Sequence, residues 1–170
     1  TVRDGTATSV AAVVALTMIP VNDAPVATSR INNGLEDTLI PVTLAGIDPD
    51  GDPVTFTITV QPRNGVLVGT APSLVYRPST NTTGPDSFQF TISDGTLTSS
   101  TATMSINVVP VNDAPMALAQ SVSVSGSGPT AIRLAGQDVD DDALTYTISR
   151  APAKGALSGT APNLTYTPQA

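Results

Sequence analysis

Sliding the chain along itself by 90 residues overlays Pro20-Val21-Asn22-Asp23-Ala24-Pro25 on an identical hexapeptide, Pro110 to Pro115. The same offset sets Asp4-Gly5-Thr6 on Asp94-Gly95-Thr96, Leu44-Ala45-Gly46 on Leu134-Ala135-Gly136, and Gly69-Thr70-Ala71-Pro72 on Gly159-Thr160-Ala161-Pro162. Of the 80 overlaid pairs, 33 are identical and no gap is needed. Self-similarity of that length marks a tandem array, so one 90-residue unit must fold and then recur. With units starting after Asn-Asp-Ala-Pro, residues 1–25 read as the C-terminal strand of a preceding unit plus its linker. Residues 26–115 form a complete unit, and residues 116–170 are the N-terminal part of a following one. Thr1 aligns with Thr91, inside an expected strand, so the sequence reads as a segment of a longer protein.

Inside the complete unit, apolar and polar residues alternate in short runs. Val54-Thr55-Phe56-Thr57-Ile58-Thr59-Val60 is one, Phe88-Gln89-Phe90-Thr91-Ile92-Ser93 another, and Met104-Ser105-Ile106-Asn107-Val108 a third. Period-2 alternation rich in β-branched residues predicts strands buried on one face. The expected strands are roughly 27–32, 38–46, 54–60, 65–69, 73–77, 87–93 and 98–109. Turn residues separate them at Pro49-Asp50-Gly51-Asp52, Arg63-Asn64-Gly65, Gly84-Pro85-Asp86 and Asp94-Gly95. Seven short strands in about 90 residues predict an all-β fold of tandem immunoglobulin-like Greek-key sandwiches. Phe56, Tyr76, Phe88 and Phe90 are expected in the core, with Leu44 and Ile106.

Composition narrows the chemistry. The 170 residues include 7 Lys and Arg against 14 Asp and Glu, for a net charge of −7. So few cations leave no sizeable basic patch, which argues against nucleic-acid binding. Cys and His are both absent, which removes thiol chemistry, imidazole acid–base catalysis and soft metal sites. No apolar run approaches the roughly 20 residues that span a membrane, so no membrane insertion is expected.

The acids are placed rather than scattered. Seven occupy two equivalent loops, Asp48-Pro49-Asp50-Gly51-Asp52 and Asp138-Val139-Asp140-Asp141-Asp142. Asp23 and Asp113 sit in the linkers beside Asn22 and Asn112. With strands alternating in direction, the Asp48–Asp52 loop and Asp94 face the incoming linker, Asn22-Asp23. Glu36, Asp37 and Asp86 lie at the opposite end and face Asn112-Asp113, where the next unit brings Asp138, Asp140 and Asp142. Carboxylates at that density repel one another, and a divalent cation is the natural counter-charge. Ca²⁺ accepts 6–8 oxygen ligands in irregular geometry and suits carboxylates with linker carbonyls. Asp48-Pro49-Asp50-Gly51-Asp52 also resembles the opening of an EF-hand loop. That match fails, because the bidentate-Glu position, eleven residues after Asp48, is Thr59. A single Asp-Gly loop is ordinary turn chemistry, and it is the recurrence beside acidic linkers that points to metal.

Together, Asp94-Gly95, Val111-Asn112-Asp113-Ala114-Pro115, Glu36-Asp37-Thr38 and the Asp48–Asp52 loop resemble one known family. It is the cadherin-like tandem repeats of large bacterial surface adhesins and type I-exported proteins. Asn64-Gly65, Leu74-Val75-Tyr76-Arg77-Pro78 and Gly84-Pro85-Asp86-Ser87-Phe88 complete the resemblance, which spans essentially the whole chain. It implies extracellular, secreted or cell-surface stalks that are stiffened by Ca²⁺ between units and serve in adhesion. The chain departs from the pattern at Gly126, the counterpart of Glu36, flanked by Ser125 and Ser127.

Enzymatic activity is not expected, since paired carboxylates in repeated loops lack a single cleft. A carbohydrate-binding sandwich is the alternative. It is opposed by the three Phe and three Tyr, nearly all at inward positions, and a solvent-facing Tyr146 or Tyr166 in a groove would favour it. Asn81-Thr82-Thr83 and Asn163-Leu164-Thr165 match the glycosylation sequon. The expected partners are the neighbouring units, a surface receptor or glycan, and other copies of the chain. In the last case, residues 1–25 of one copy would complete residues 116–170 of another and give filaments.

Overall fold

The computed structural model describes residues 1–169. Across residues 26–115, the expected strands form with two breaks, and both breaks build the sandwich. The first expected strand divides into β1 (Val26–Thr28) and β2 (Arg30–Leu35). At Ser29 the chain leaves the two-stranded pairing that holds β1 for the larger sheet that holds β2, and Ser29 Oγ accepts the Thr103 N–H at 3.0 Å. The second divides into β3 (Ile40–Thr43) and β4 (Ala45–Ile47) around the buried Leu44, whose N–H turns aside to Pro72 O at 2.9 Å.

β5 (Thr55–Val60), β6 (Gly65–Thr70), β7 (Ser73–Pro78), β8 (Gly84–Ser93) and β9 (Ala102–Val109) follow. One sheet has the order β2-β9-β8-β5 and the other β3-β7-β6, with β1 paired to β4. β2 and β9 are parallel, from Arg30↔Met104 to Leu35↔Val109, while the remaining pairs are antiparallel. This is an immunoglobulin-like β-sandwich.

Its core is the inward set that alternation marks. Tyr76, Phe88 and Phe90 are fully buried, with Ile40, Val42, Leu44, Leu74, Ile92, Met104, Ile106 and Val108 around them. Phe56 is partly buried, its ring 6.2 Å from that of Phe90. Burying such side chains stabilises a fold by about 1.5–3 kcal/mol each before entropy is counted.

The next unit repeats half of this scheme. β10 (Met116–Leu118) pairs with β12 (Ala135–Gln137) as β1 does with β4. β11 (Thr130–Arg133), β14 (Asn163–Pro168) and β13 (Gly155–Thr160) repeat the β3-β7-β6 sheet. Residues 120–125 and 145–150 carry strand-like alternation yet join no ladder. Their counterparts in residues 26–115 are β2 and β5, which pair with β9 and β8.

In residues 1–25, the Asp4 turn forms a small hairpin closed by the Arg3–Thr8 bridge. Residues 10–19, the counterpart of positions 100–109, lie in no strand, and Leu16 and Met18 are fully exposed.

Candidate cation site at the unit junctions

Because β2 and β9 run parallel, both end at the same face of the sandwich, and this places Glu36 beside the departing linker. The Glu36 N–H donates to Val109 O at 3.0 Å, and Glu36 Oε1 accepts the Val111 N–H at 2.8 Å. The carboxylate is buried, with only 3% of the residue exposed. The reversal after it is local: Thr38 Oγ1 donates to Leu35 O, and Asp37 takes φ +54°.

The following unit contributes a loop built by its own first acid. Asp138 Oδ1 accepts the N–H groups of Asp140 at 2.9 Å and Asp142 at 3.4 Å. The turn aims Asp140 at the linker, where its Oδ2 accepts the Asp113 N–H at 2.7 Å. One carboxylate oxygen each from Glu36, Asp113 and Asp140 then lies within 4.8 Å of the others. Asp113 Oδ2 is buried and has no hydrogen-bond partner among the described residues. Burial raises the Asp113 carboxyl above its usual range, and the charges of Asp37, Asp140, Glu36 and Asp138 raise it further.

The incoming junction has the same construction 90 residues earlier. Asp48 Oδ1 accepts the N–H groups of Asp50 at 2.9 Å and Asp52 at 3.3 Å, and Asp50 Oδ2 accepts the Asp23 N–H at 2.7 Å. Asp48 Oδ2 is buried and has no hydrogen-bond partner among the described residues. Asn22 adds a clasp, its Nδ2 donating to Asp94 Oδ2 at 2.9 Å. That bond, with the N–H groups of Leu97 and Thr96, holds the Asp94 carboxyl below its ordinary value.

Asp86 requires a correction. It is not at the junction cluster, because its carboxylate is spent inside the unit. Oδ1 accepts from Arg63 N–H and Ser87 N–H at 3.0 and 2.8 Å, and Oδ2 accepts from Asn64 N–H and Tyr76 OH at 2.9 and 2.7 Å. Burial works to raise this carboxyl, but the four donors outweigh it and hold it low. Tyr76 OH is pushed up in turn, by burial and by Asp86. Alternation carries the signal that places it so: Asp86 shares its parity with Phe88 and Phe90, and that parity faces inward. Asp37 and Asp138 stand at the cluster's edge, and Asp37 Oδ1 accepts the Asn81 N–H at 3.3 Å. Asn112 turns its amide to Asp113 O at 2.9 Å.

The donor set is oxygen only and densely anionic, with a buried carboxylate oxygen left unpaired. It fits a hard divalent cation and offers nothing to a soft one.

Tyr146 lines a groove of about 330 Å³ at this junction, with Asn112, Asp138 and Leu144. Its counterpart Phe56 packs on Phe90, with ring centroids 6.2 Å apart. Tyr166 OH donates to Lys154 O, in the place where Tyr76 meets Asp86.

A family model described as bacterial Ig domain matches residues 22–107 and again residues 112–170. No curated protein matches the chain. Among solved structures, an endo-fucoidan hydrolase from glycoside hydrolase family 107 aligns at 24% identity, covering 90% of this chain and 25% of its own, with a TM-score of 0.44. A second structure of that hydrolase, a variant, aligns at 26% identity over 86% of this chain and 24% of its own, with a TM-score of 0.42. The Yersinia pseudotuberculosis adhesin InvE aligns at 13% identity over 85% of this chain and 51% of its own, with a TM-score of 0.31. The chain thus spans about a quarter of the hydrolase chains and half of the adhesin.

Proposed function

The chain belongs to the bacterial Ig domain family, and on that premise we propose that it is a non-enzymatic structural segment of an extracellular adhesin stalk or fibre, stiffened by Ca²⁺ at its unit junctions. The units are residues 1–25, 26–115 and 116–170, each joined to the next through an Asn-Asp-Ala-Pro linker.

The observation that carries this reading is Glu36. It is a buried carboxylate with a carboxylate oxygen of Asp113 and one of Asp140 within 4.8 Å. A buried charge among like charges is costly unless a cation neutralises it. Glu36, Asp113 and Asp140 would hold the ion at one junction, with Asp37, Asp138 and Asp142 around them. Asp48, Asp50, Asp52, Asp23 and Asn22 repeat the downstream half at the other. The bound ion would supply counter-charge and nothing more, locking two units and their linker into one orientation. Extracellular modules commonly bind Ca²⁺ at about 10⁻⁴–10⁻³ M, so such a site fills outside a cell and empties inside one. Ca²⁺ titration by calorimetry, with X-ray scattering and circular dichroism with and without chelator, tests the reading. Heat of binding and a distribution of shapes that broadens on chelation, with strands retained, are the expected results. An unchanged shape, or no uptake at millimolar Ca²⁺, overturns it.

The carbohydrate-binding alternative has one observation in its favour, Tyr146 in the junction groove. Its repeat counterpart Phe56 is used for packing, against Phe90 of β8. The structural reading is therefore preferred.

A further inference from the structure

We propose that residues 26–115 pair with a second copy of the chain through the free edge of β6, in an antiparallel ladder centred on Leu67. The inference stands apart from the cation site and needs no ion.

Open sheets leave edge strands whose outward N–H and C=O groups have no partner, and natural sheets blunt such edges. Here most are blunted. β1 covers β4, and the Asn32 amide on β2 donates to Pro41 O on β3 at 2.6 Å, which bridges one side of the sandwich. On the other side, β5 carries a register shift between Ile58 and Val60, and an irregularity of that kind twists an edge away from a straight partner. β6 has no such device. It lies outermost in the order β3-β7-β6 and pairs with β7 without a shift, from Gly65↔Pro78 to Thr70↔Ser73. Residues 64–76 contain no charged side chain, and no proline falls within β6.

The ladder with β7 determines which backbone groups are free. Ser79 N–H donates to Asn64 O at 2.8 Å, and bonded pairs alternate along an antiparallel ladder. Val66 and Val68 therefore spend their backbone groups on β7, while Gly65 and Leu67 turn theirs to the open edge. Gly69, at φ +103°, ends the regular stretch.

The strand itself names the partner. Gly65-Val66-Leu67-Val68-Gly69 reads the same in both directions. Two antiparallel copies related by a two-fold axis at Leu67 set Leu67 against Leu67, Val66 against Val68 and glycine against glycine. The two Leu67 residues then exchange N–H···O bonds, and Val66 and Val68 of opposite copies form the closer, unbonded pairs, with Cα atoms about 4.5 Å apart. Val66 is 46% exposed and Val68 55%, so each copy covers valines that the other leaves in water. Val75 and Pro41 continue this apolar row across β7 and β3. The equivalent strand β13 has Ala156 and Ser158 at the two valine positions, so the symmetry and the apolar pair are both lost there. Pairing through β6 joins chains that run in opposite directions.

The test is sedimentation velocity of the full chain in chelator over a range of concentrations, together with disulfide trapping. The chain has no native cysteine, so Val66→Cys and Val68→Cys each place a single thiol. Mixed under mild oxidation, the two variants should cross-link at least fivefold faster than either does alone. Position 66 faces position 68 of the other copy, whereas like positions lie on the diagonal, about 7–8 Å apart, beyond the Cβ separation of roughly 3.5–4.5 Å that a disulfide needs. Sedimentation of the unaltered chain should rise with concentration toward twice the chain mass. Val68→Lys should return it to monomer with its circular dichroism unchanged, and Ser158→Lys, at the same position of β13, should leave the dimer intact. A monomer at every concentration overturns the proposal, as does cross-linking of like variants at the rate of the mixture. A dimer that survives Val68→Lys overturns it as well. If a variant does not fold, sedimentation of the unaltered chain decides. The cation reading is tested by adding Ca²⁺ and this one in chelator, so either can fail alone.

Discussion

The backbone N–H of Asp113 donates to Asp140 Oδ2 at 2.7 Å, and 90 residues earlier Asp23 donates to Asp50 Oδ2 at the same distance. The linker is thus pinned to the loop of the unit that follows it, at both junctions and by the same atoms. At the second junction this leaves the Asp113 side chain facing Glu36, and the proposed ligand set is divided among two units and their linker. Asp113→Ala combined with Asp140→Ala is expected to weaken Ca²⁺ binding at this junction at least tenfold. The incoming junction should still take up the ion, so calorimetry would show about half the sites lost. Full uptake by the double variant would place the ion elsewhere.

Asp113 and Asp86 should respond to pH in opposite senses. Asp113 has its carboxyl raised in the folded chain, so without metal it favours the folded arrangement only as pH falls through its folded pKa. Asp86 has its carboxyl lowered, so its contribution is present above about 3.8, the unfolded value, and is lost as pH falls through the lower folded one. Carboxyl-detected NMR in chelator should show Asp113 titrating above ordinary aspartates and Asp86 below them. Added Ca²⁺ should pull the Asp113 midpoint down. An Asp113 midpoint that ignores Ca²⁺ would remove it from the ligand set.

Asp86 ties together three segments of one sandwich: the 63–64 turn, Tyr76 on β7 and the start of β8. Hydrogen bonds to a charged group contribute about 1.5–3 kcal/mol, and orphaned buried donors add their own cost. Asp86→Ala should therefore destabilise the complete unit by about 3 kcal/mol in denaturant unfolding. Tyr76→Phe should cost about 1–2 kcal/mol, since Asp86 Oδ2 keeps Asn64 N–H. Neither should alter Ca²⁺ uptake, which separates this carboxylate from the junction acids.

Glycines at two turns should respond differently to alanine. A Cβ at Gly65 would lie 2.5 Å from Arg77 O and 2.6 Å from the Tyr76 ring, so the backbone or a core residue must move. Overpacking of that kind costs about 3 kcal/mol. Gly51, in the acidic loop, has open space around it and only its φ of +84° to oppose a side chain. Gly51→Ala should cost about 1–2 kcal/mol. Thermal unfolding of the two variants checks the order.

Much of this was legible in the chain itself. A repeat of 90 residues, period-2 alternation and Asp-Gly turns determine an array of small sandwiches, because those patterns are local and each residue's neighbours enforce them. The inward placement of Phe88, Phe90, Ile106 and even Asp86 follows from parity alone. The recurrence of Asp48–Asp52 at Asp138–Asp142, and the shared loop geometry it implies, was legible there too. What parity cannot supply is the partner across space. Ser29 breaks one expected strand in two because the chain changes sheets there, and only the sandwich as a whole decides which sheet each half joins. Glu36 reads as one acid among several, yet its burial and its grip on Val111 come from β2 and β9 ending side by side, with some 75 residues of chain between them. Asp86 is withdrawn from the junction by donors from Arg63, Asn64 and Tyr76, which the fold brings to it. Hydrogen bonds between distant segments depend on tertiary position, which alternation along the chain does not encode.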